Sequence, residues 1–229
     1  MSKLRGTVLL SERTGAVLTL TISRPDATNA IDSVLREELT IAFDEIAASR
    51  QLRAVVLTSA GDDAFSVGMD IAEIAAFSPQ EVEHVGVIAR GIYERMAALE
   101  IPIIAAIKGA CLGAGFELAL HADIRLARAD ARFGLPGINV GMNAGGGALG
   151  RLQRISGNGS AAALALTGGV VTAERAFMLG LVSNVAGMQD FAPSVQQLAE
   201  HLATLSPVAV AETKRLLRLA AERGIEAAA

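Results

Sequence analysis

The chain has 229 residues, with 20 Lys+Arg against 24 Asp+Glu and a formal net charge of −4. At 52% hydrophobic and 19% charged it can build one sizeable core, which excludes disorder as its dominant state. The acidic balance lacks the basic footprint of a nucleic-acid binder, no apolar run reaches the ~18 residues of a membrane helix, and the single Cys111 excludes an internal disulfide or a multi-cysteine zinc site. Met1–Gly6 carries no apolar leader, so a cytoplasmic protein is the expectation.

In chain order, Gly6–Glu12 and Ala16–Ile22 read as two strands of a hairpin turning at Arg13-Thr14-Gly15. A loop over 25–29 leads to a helix from Asp32 or Ser33 to Ser49, with Leu35, Leu39, Ile41, Phe43 and Ile46 on or near its buried side. Ala54–Thr58 is a short aliphatic strand of the buried parallel kind. A helix-rich stretch spans Ile71–Leu99, and Ile101–Ile107 is a further strand. Gly109–Gly115 is a glycine-rich turn into a helix at Phe116–Ala122, followed by a strand at Asp123–Ala127. Arg132–Asn143 reads as a short strand and loop, and Ala144–Gly150 as a glycine-dense turn. Helices are expected at about 157–166, 172–179 and 207–222, with a strand at Gly180–Val185. Strands alternating with helices argue an α/β fold with parallel pairing and a helical C-terminal region, without the even spacing of an eightfold barrel.

Several familiar chemistries leave no trace. The glycines at 109–115 match neither a dinucleotide nor a phosphate-loop fingerprint, no G-x-S-x-G elbow is present, and His84, His121 and His201 have no metal-ligand spacing. Two segments stand out. In Ala64-Phe-Ser-Val-Gly-Met-Asp-Ile, Gly68 and Met69 precede Asp70 at a helix start, where a backbone N–H can face an anion or carbonyl; an ordinary capped helix reads the same way. In Gly113-Ala-Gly-Phe-Glu-Leu-Ala-Leu, Glu117 sits in a first helical turn among apolar neighbours. It is either a dipole partner or a desolvated carboxyl tuned for acid/base work.

These segments belong to a longer set of motifs: Leu18–Pro25, Asn29-Ala-Ile, Ala54–Gly61, Ala64–Ile71, Pro102–Leu120, Ala122–Ala127, Ala131–Pro136, Ala165–Gly169, Ala173–Ala176 and Gly180-Leu-Val. In this order they resemble the enoyl-CoA hydratase/isomerase superfamily, the crotonases, over nearly the whole chain. The resemblance implies a spiral of ββα units over residues 1–190 and a helical region at 191–229. It implies an acyl-CoA thioester as substrate, CoA arriving as part of that substrate with no separate cofactor or metal, and a homotrimer or hexamer. It implies an enolate held by the N–H groups of Met69 and Ala114, and CoA lying along Ala27, Ala30, Asp70 and Ile71.

A hydratase of that family uses two glutamates. Glu117 matches the first; the second falls at Gly137, which has no side chain to carry a proton. Asn139 and Asn143 are nearby but do not titrate usefully. One glutamate serving as acid and base suits isomerisation or an altered hydration, while a decarboxylase or thioester hydrolase would rely on the oxyanion site. A non-catalytic acyl-CoA-binding or scaffold protein is the rival of another class. His121, four residues past Glu117, reads either as a satisfied helix residue or as one that tunes Glu117. The chain ends soon after Leu216–Glu222, so a shortened C-terminal helical region is expected.

Overall fold

The computed structural model describes residues 6–223. The hairpin is present as β1 (Leu9–Thr14) and β2 (Val17–Ile22), paired antiparallel with Thr14 opposite Val17. Alternation in β2 buries Leu18, Leu20 and Ile22 on one face and leaves Val17, Thr19 and Thr21 half-buried on the other. Helix α1 (Ser33–Ala48) starts where the Asp32 carboxylate accepts from Leu35 N at 2.8 Å, and its apolar stripe buries Leu35, Leu39, Phe43 and Ile46. Ile41, expected on or near that side, is instead exposed, because it falls outside the i, i+4, i+8 row that Leu35, Leu39 and Phe43 follow.

From there the chain repeats one unit three times. A strand of a first sheet leads to a three-residue strand of a second sheet and then to helix. The first unit is β3 (Ala54–Ser59), β4 (Ala64–Ser66), α2 (Ile71–Ala75) and α3 (Pro79–Ala98). The second is β5 (Ile103–Ile107), β6 (Ala110–Leu112) and α4 (Ala114–Leu120). The third is β7 (Ile124–Arg128), β8 (Arg132–Gly134) and α5 (Ala148–Thr167). Then come β9 (Val170–Thr172), α6 (Ala173–Met178), β10 (Asn184–Ala186), α7 (Phe191–Thr204) and α8 (Pro207–Arg223).

The first sheet runs β1-β2-β3-β5-β7-β10 and is parallel from β2 onward; the second runs β4-β6-β8-β9 with only β9 antiparallel. The main core lies between the first sheet and helices α1, α3 and α4, around Leu20, Ile22, Phe43, Leu57, Met96, Ile103 and Phe116. Full burial of each such side chain stabilises by about 1.5–3 kcal/mol. The opposite face of the sheet is covered by α7, whose Phe191, Val195 and Ala199 meet Val56, Ile104, Ala106 and Leu126. Helix α8 is tied down by Lys214, which donates to Ile101 O at 2.9 Å and Asp123 Oδ2 at 2.8 Å.

Four expectations need correction. The glycine-rich turn at 109–115 contains strand β6, and β4 and β9 had no expected strand at all. Three-residue strands are too short to show a period of two. Helix α5 begins at Ala148, not near 157. Gly157 interrupts it with non-helical angles (φ +77°, ψ 162°), which broke the sequence pattern there. Residues 191–204 form α7, a helix not singled out within the expected helical region. The expected strand at 180–185 is confined to Asn184–Ala186, with Gly180 in the left-handed region at φ +71°.

Candidate active site

The three turns that leave the second sheet meet at one hollow. The turn after β4 brings Gly68 and Met69, the turn after β6 brings Gly113 and Ala114, and the segment after β8 brings Leu135 through Gly146. With Ile71, Ile74, Val82, Val85 and Tyr93 from α2 and α3, they enclose a cavity of about 500 Å³. Its wall is largely apolar, and Tyr93, Glu117 and Asn143 supply its polar side chains, apart from the Met69 and Met142 thioethers.

Met69 and Ala114 lie on this cavity together. The bridge between Ile31 and Met69 uses Ile31 N to Gly68 O (2.8 Å) and Asp70 N to Ile31 O (3.1 Å), leaving the Met69 N–H out of the ladder. Ala114 opens α4, where the first N–H groups have no intrahelical acceptor. Among the described residues neither N–H meets an acceptor. Gly68 makes their approach possible. Its φ is +104°, and a Cβ there would stand 3.0 Å from Ala114 N and 3.1 Å from Leu112 O. Two unpartnered N–H donors on one apolar cavity are chemically able to stabilise negative charge developing on an oxygen placed between them.

Glu117, one turn into α4, is only 8% exposed. Burial pushes its carboxyl up to about 7, against the Gly145 N–H, which donates to Oε2 at 3.0 Å and favours the ionised form. Among the described residues it is the only carboxylate on the cavity wall. His121 is also buried; the Glu117 carbonyl accepts from its Nδ1–H at 2.8 Å, and burial drives it down to about 4, so it is neutral near pH 7. Its ring stacks on Tyr93 with centroids 4.6 Å apart and planes 13° apart. His121 is thus a satisfied histidine, and it is also in contact with the site. His84 and His201 are exposed.

The remaining expected residues are Ala27, Ala30, Asp70 and Ile71. Ala27 ends a 3-10 turn over Pro25–Ala27 and Ala30 is buried. Asn29, fully buried at φ +56°, pins this loop by donating to Ala60 O at 3.0 Å and Ala64 O at 2.7 Å. The Ile31–Met69 bridge lays the loop beside Asp70 and Ile71. Asp70 caps α2 and pairs with Arg24 at 3.2 Å. Burial pushes its carboxyl up, but the Glu73 N–H and Arg24 outweigh this and hold it below the usual range. Of these four, Ile71 lines the cavity; Ala27, Ala30 and Asp70 do not.

Gly137 lies on the wall, and a Cβ there would sit 3.3 Å from Met142 O, so the position admits a side chain with a small adjustment. Asn143 faces the cavity, whereas Asn139 packs beside Gly168. Two participants were not read from the sequence: Tyr93 and the Gly145 N–H. Tyr93 is the only tyrosine in the chain and stands on a helix among apolar residues, which was the one available signal. Among the described residues no cluster of three or more His, Cys, Asp or Glu side chains could hold a metal ion.

A spiral of ββα units with one largely apolar cavity, carrying a desolvated carboxyl at the exits of its second sheet, gives the class of fold. Comparison with known proteins fixes the family. The sequence model described as Enoyl-CoA hydratase/isomerase matches residues 12–228. The chain is 34% identical over 218 residues to the short-chain-enoyl-CoA hydratase of Clostridium acetobutylicum, covering 95% of this chain and 82% of that one. It is 34% identical over 219 residues to the 2,3-dehydroadipyl-CoA hydratase of Escherichia coli K12, covering 96% and 85%. The crystal structure of an enoyl-CoA hydratase from Bacillus anthracis superposes with a TM-score of 0.90 at 32% identity, covering 93% of this chain and 83% of that one. One from Mycobacterium smegmatis gives 0.92 at 32%, covering 96% and 86%. The chain belongs to the enoyl-CoA hydratase/isomerase family and is an acyl-CoA-processing enzyme of that type. No described helix is long and apolar enough to cross a membrane.

Proposed function

We propose that the enzyme runs thioester-enolate chemistry with a single carboxyl group. The thioester oxygen of an acyl-CoA sits between the N–H groups of Met69 and Ala114. Glu117, as carboxylate, takes a proton from carbon; as carboxylic acid, it returns that proton to carbon at another position. The net change is a double-bond shift, with no redox group or metal required. The observation that carries this reading is Glu117 itself: among the described residues the sole carboxylate on the cavity, beside both free donors, with a proton affinity poised near neutrality. CoA is assigned to Ala27, Ala30, Asp70 and Ile71, and the working form to a homotrimer or hexamer in the cytoplasm.

A second reading, hydration by water activated at Glu117, is favoured by the hydratase names of the relatives and by Asn143, whose amide on the wall can hold a water. Crotonyl-CoA in D2O, followed by mass spectrometry, separates the two. Deuterium uptake without water addition is expected from the first reading. Water addition would replace it with the second. Neither signal from protein that binds the thioester would overturn both, leaving a decarboxylase, a thioester hydrolase or a non-catalytic acyl-CoA binder.

A further inference from the structure

Tyr93 has no part in the proton transfer proposed above, yet it touches the start of α4, His121 and the Gly146 loop. It stands on α3, 4% exposed, and makes three contacts in three directions. Its hydroxyl donates to Ala114 O at 3.3 Å, at the start of the helix that carries Glu117. Its ring face stacks on His121, whose Nδ1–H is bonded to the Glu117 carbonyl. Its ring edge meets the backbone of Gly146. That residue has φ +60°, and a Cβ on it would fall 2.3 Å from Tyr93 Cδ2 and 2.6 Å from Cε2. No side chain fits between this loop and the ring. The residue before it, Gly145, supplies the N–H that reaches Glu117 Oε2 at 3.0 Å. The loop therefore rests on Tyr93 at the point where it delivers its hydrogen bond.

We propose that Tyr93 is a positioning residue for Glu117: by stacking on His121 and backing Gly146, it holds the Gly145 N–H on the Glu117 carboxylate. This rests on the reading of Glu117 as the acid/base. The other groups around this pair are few. His121 faces Tyr93 from α4; the charges of Arg151 on α5 and Arg125 on β7 both bear on His121 and help keep it neutral. The Tyr93 phenol is itself pushed well up by burial and by the Glu117 charge, so it stays protonated and acts as a fixed donor. The hydrogen bond from Gly145 is the contact that opposes burial at Glu117. Letting the loop withdraw removes that opposition, and the carboxyl becomes harder to ionise.

The test compares Tyr93→Leu, Gly146→Ala and Tyr93→Phe. In the first two the loop leaves Glu117, and its titration midpoint, read by carbon-13 NMR of the labelled carboxyl, should rise from about 7 by about one pH unit. The acid limb of the kcat profile should move with it, while KM changes by less than about threefold. Tyr93→Phe keeps the ring, so its midpoint should stay in place. Combining Tyr93→Leu with Gly146→Ala should add no further shift, because both act through one contact. A folded Tyr93→Leu protein with an unmoved carboxyl titration would overturn the proposal, as would a Tyr93→Phe protein that shifts as far as Tyr93→Leu. If Tyr93→Leu does not fold, Gly146→Ala alone decides. A carboxyl titration that moves while the rate profile stays fixed would uphold the positioning and remove Glu117 as the base.

Discussion

The two sheets divide the labour of the molecule. The first is built from strands of five and six residues, apart from the three-residue β10, and holds the side chains of the main core. The second has four strands of three residues each, and three of them open directly into a wall of the cavity. β4 delivers Met69, β6 delivers Ala114 and Glu117, and β8 delivers Gly137 and the Gly145 loop. Long strands buy stability through area; short strands set three turns at fixed mutual distance. A substitution on the first sheet should therefore cost folding and spare chemistry, and one at the exits of the second should do the reverse.

The largest effect should come from Glu117→Gln, with kcat lowered by about 10³-fold or more and thioester affinity changed by less than about threefold, measured by steady-state kinetics and calorimetry. Next is Gly68→Ala. Its Cβ would press on Ala114 N from a backbone at φ +104°, spreading the two donors and lowering kcat by about 10²-fold. On the first sheet's side, Phe43→Ala empties a fully buried position on α1 and should cost about 3–5 kcal/mol in urea unfolding, with kcat of the folded fraction unchanged. A loss of activity at Phe43, or of stability alone at Gly68, would break the division.

A subtler consequence concerns Glu117 and pH. Its folded value of about 7 lies above the ordinary 4.5, so the native state prefers the protonated form. Folding stability contributed by this group is complete below about pH 4.5 and is lost as pH rises through 7. A gap of about 2.5 units corresponds to at most about 3–4 kcal/mol. Glu117→Gln should be more stable than the parent at about pH 8 and lose that advantage near pH 4.5. His121 runs the other way: its contribution is present above 6.5 and lost as pH falls through about 4. The smallest effect should be Ser78→Ala. It removes the capping box at the exposed start of α3, for about 1 kcal/mol of stability and no change in kcat.

How much of this the sequence disclosed follows the same line between the sheets. β2, β3 and β5 are aliphatic runs long enough to show alternation or continuous burial, and α1 shows its stripe and its Asp32 cap. β4, β6 and β9 escaped that reading, since three residues define no period. Glu117, Met69 and Ala114 could be placed because local motifs carry them, and the fold brings all three to one cavity. Tyr93, 24 residues before Glu117, and the Gly145 N–H, 28 residues after it, reach that cavity through packing between distant segments, which no local pattern encodes.

The chain contains one tyrosine and no tryptophan. Its single strong intrinsic fluorophore is therefore Tyr93, stacked on a histidine at the edge of the reaction cavity. The native protein carries an optical probe on the wall of this cavity, unmixed with tyrosine or tryptophan signals from elsewhere. Tyrosine emission will follow ligand entry and local loosening of the Gly146 loop, while backbone circular dichroism follows the long sheet. The two halves of the molecule can be watched separately, without any label.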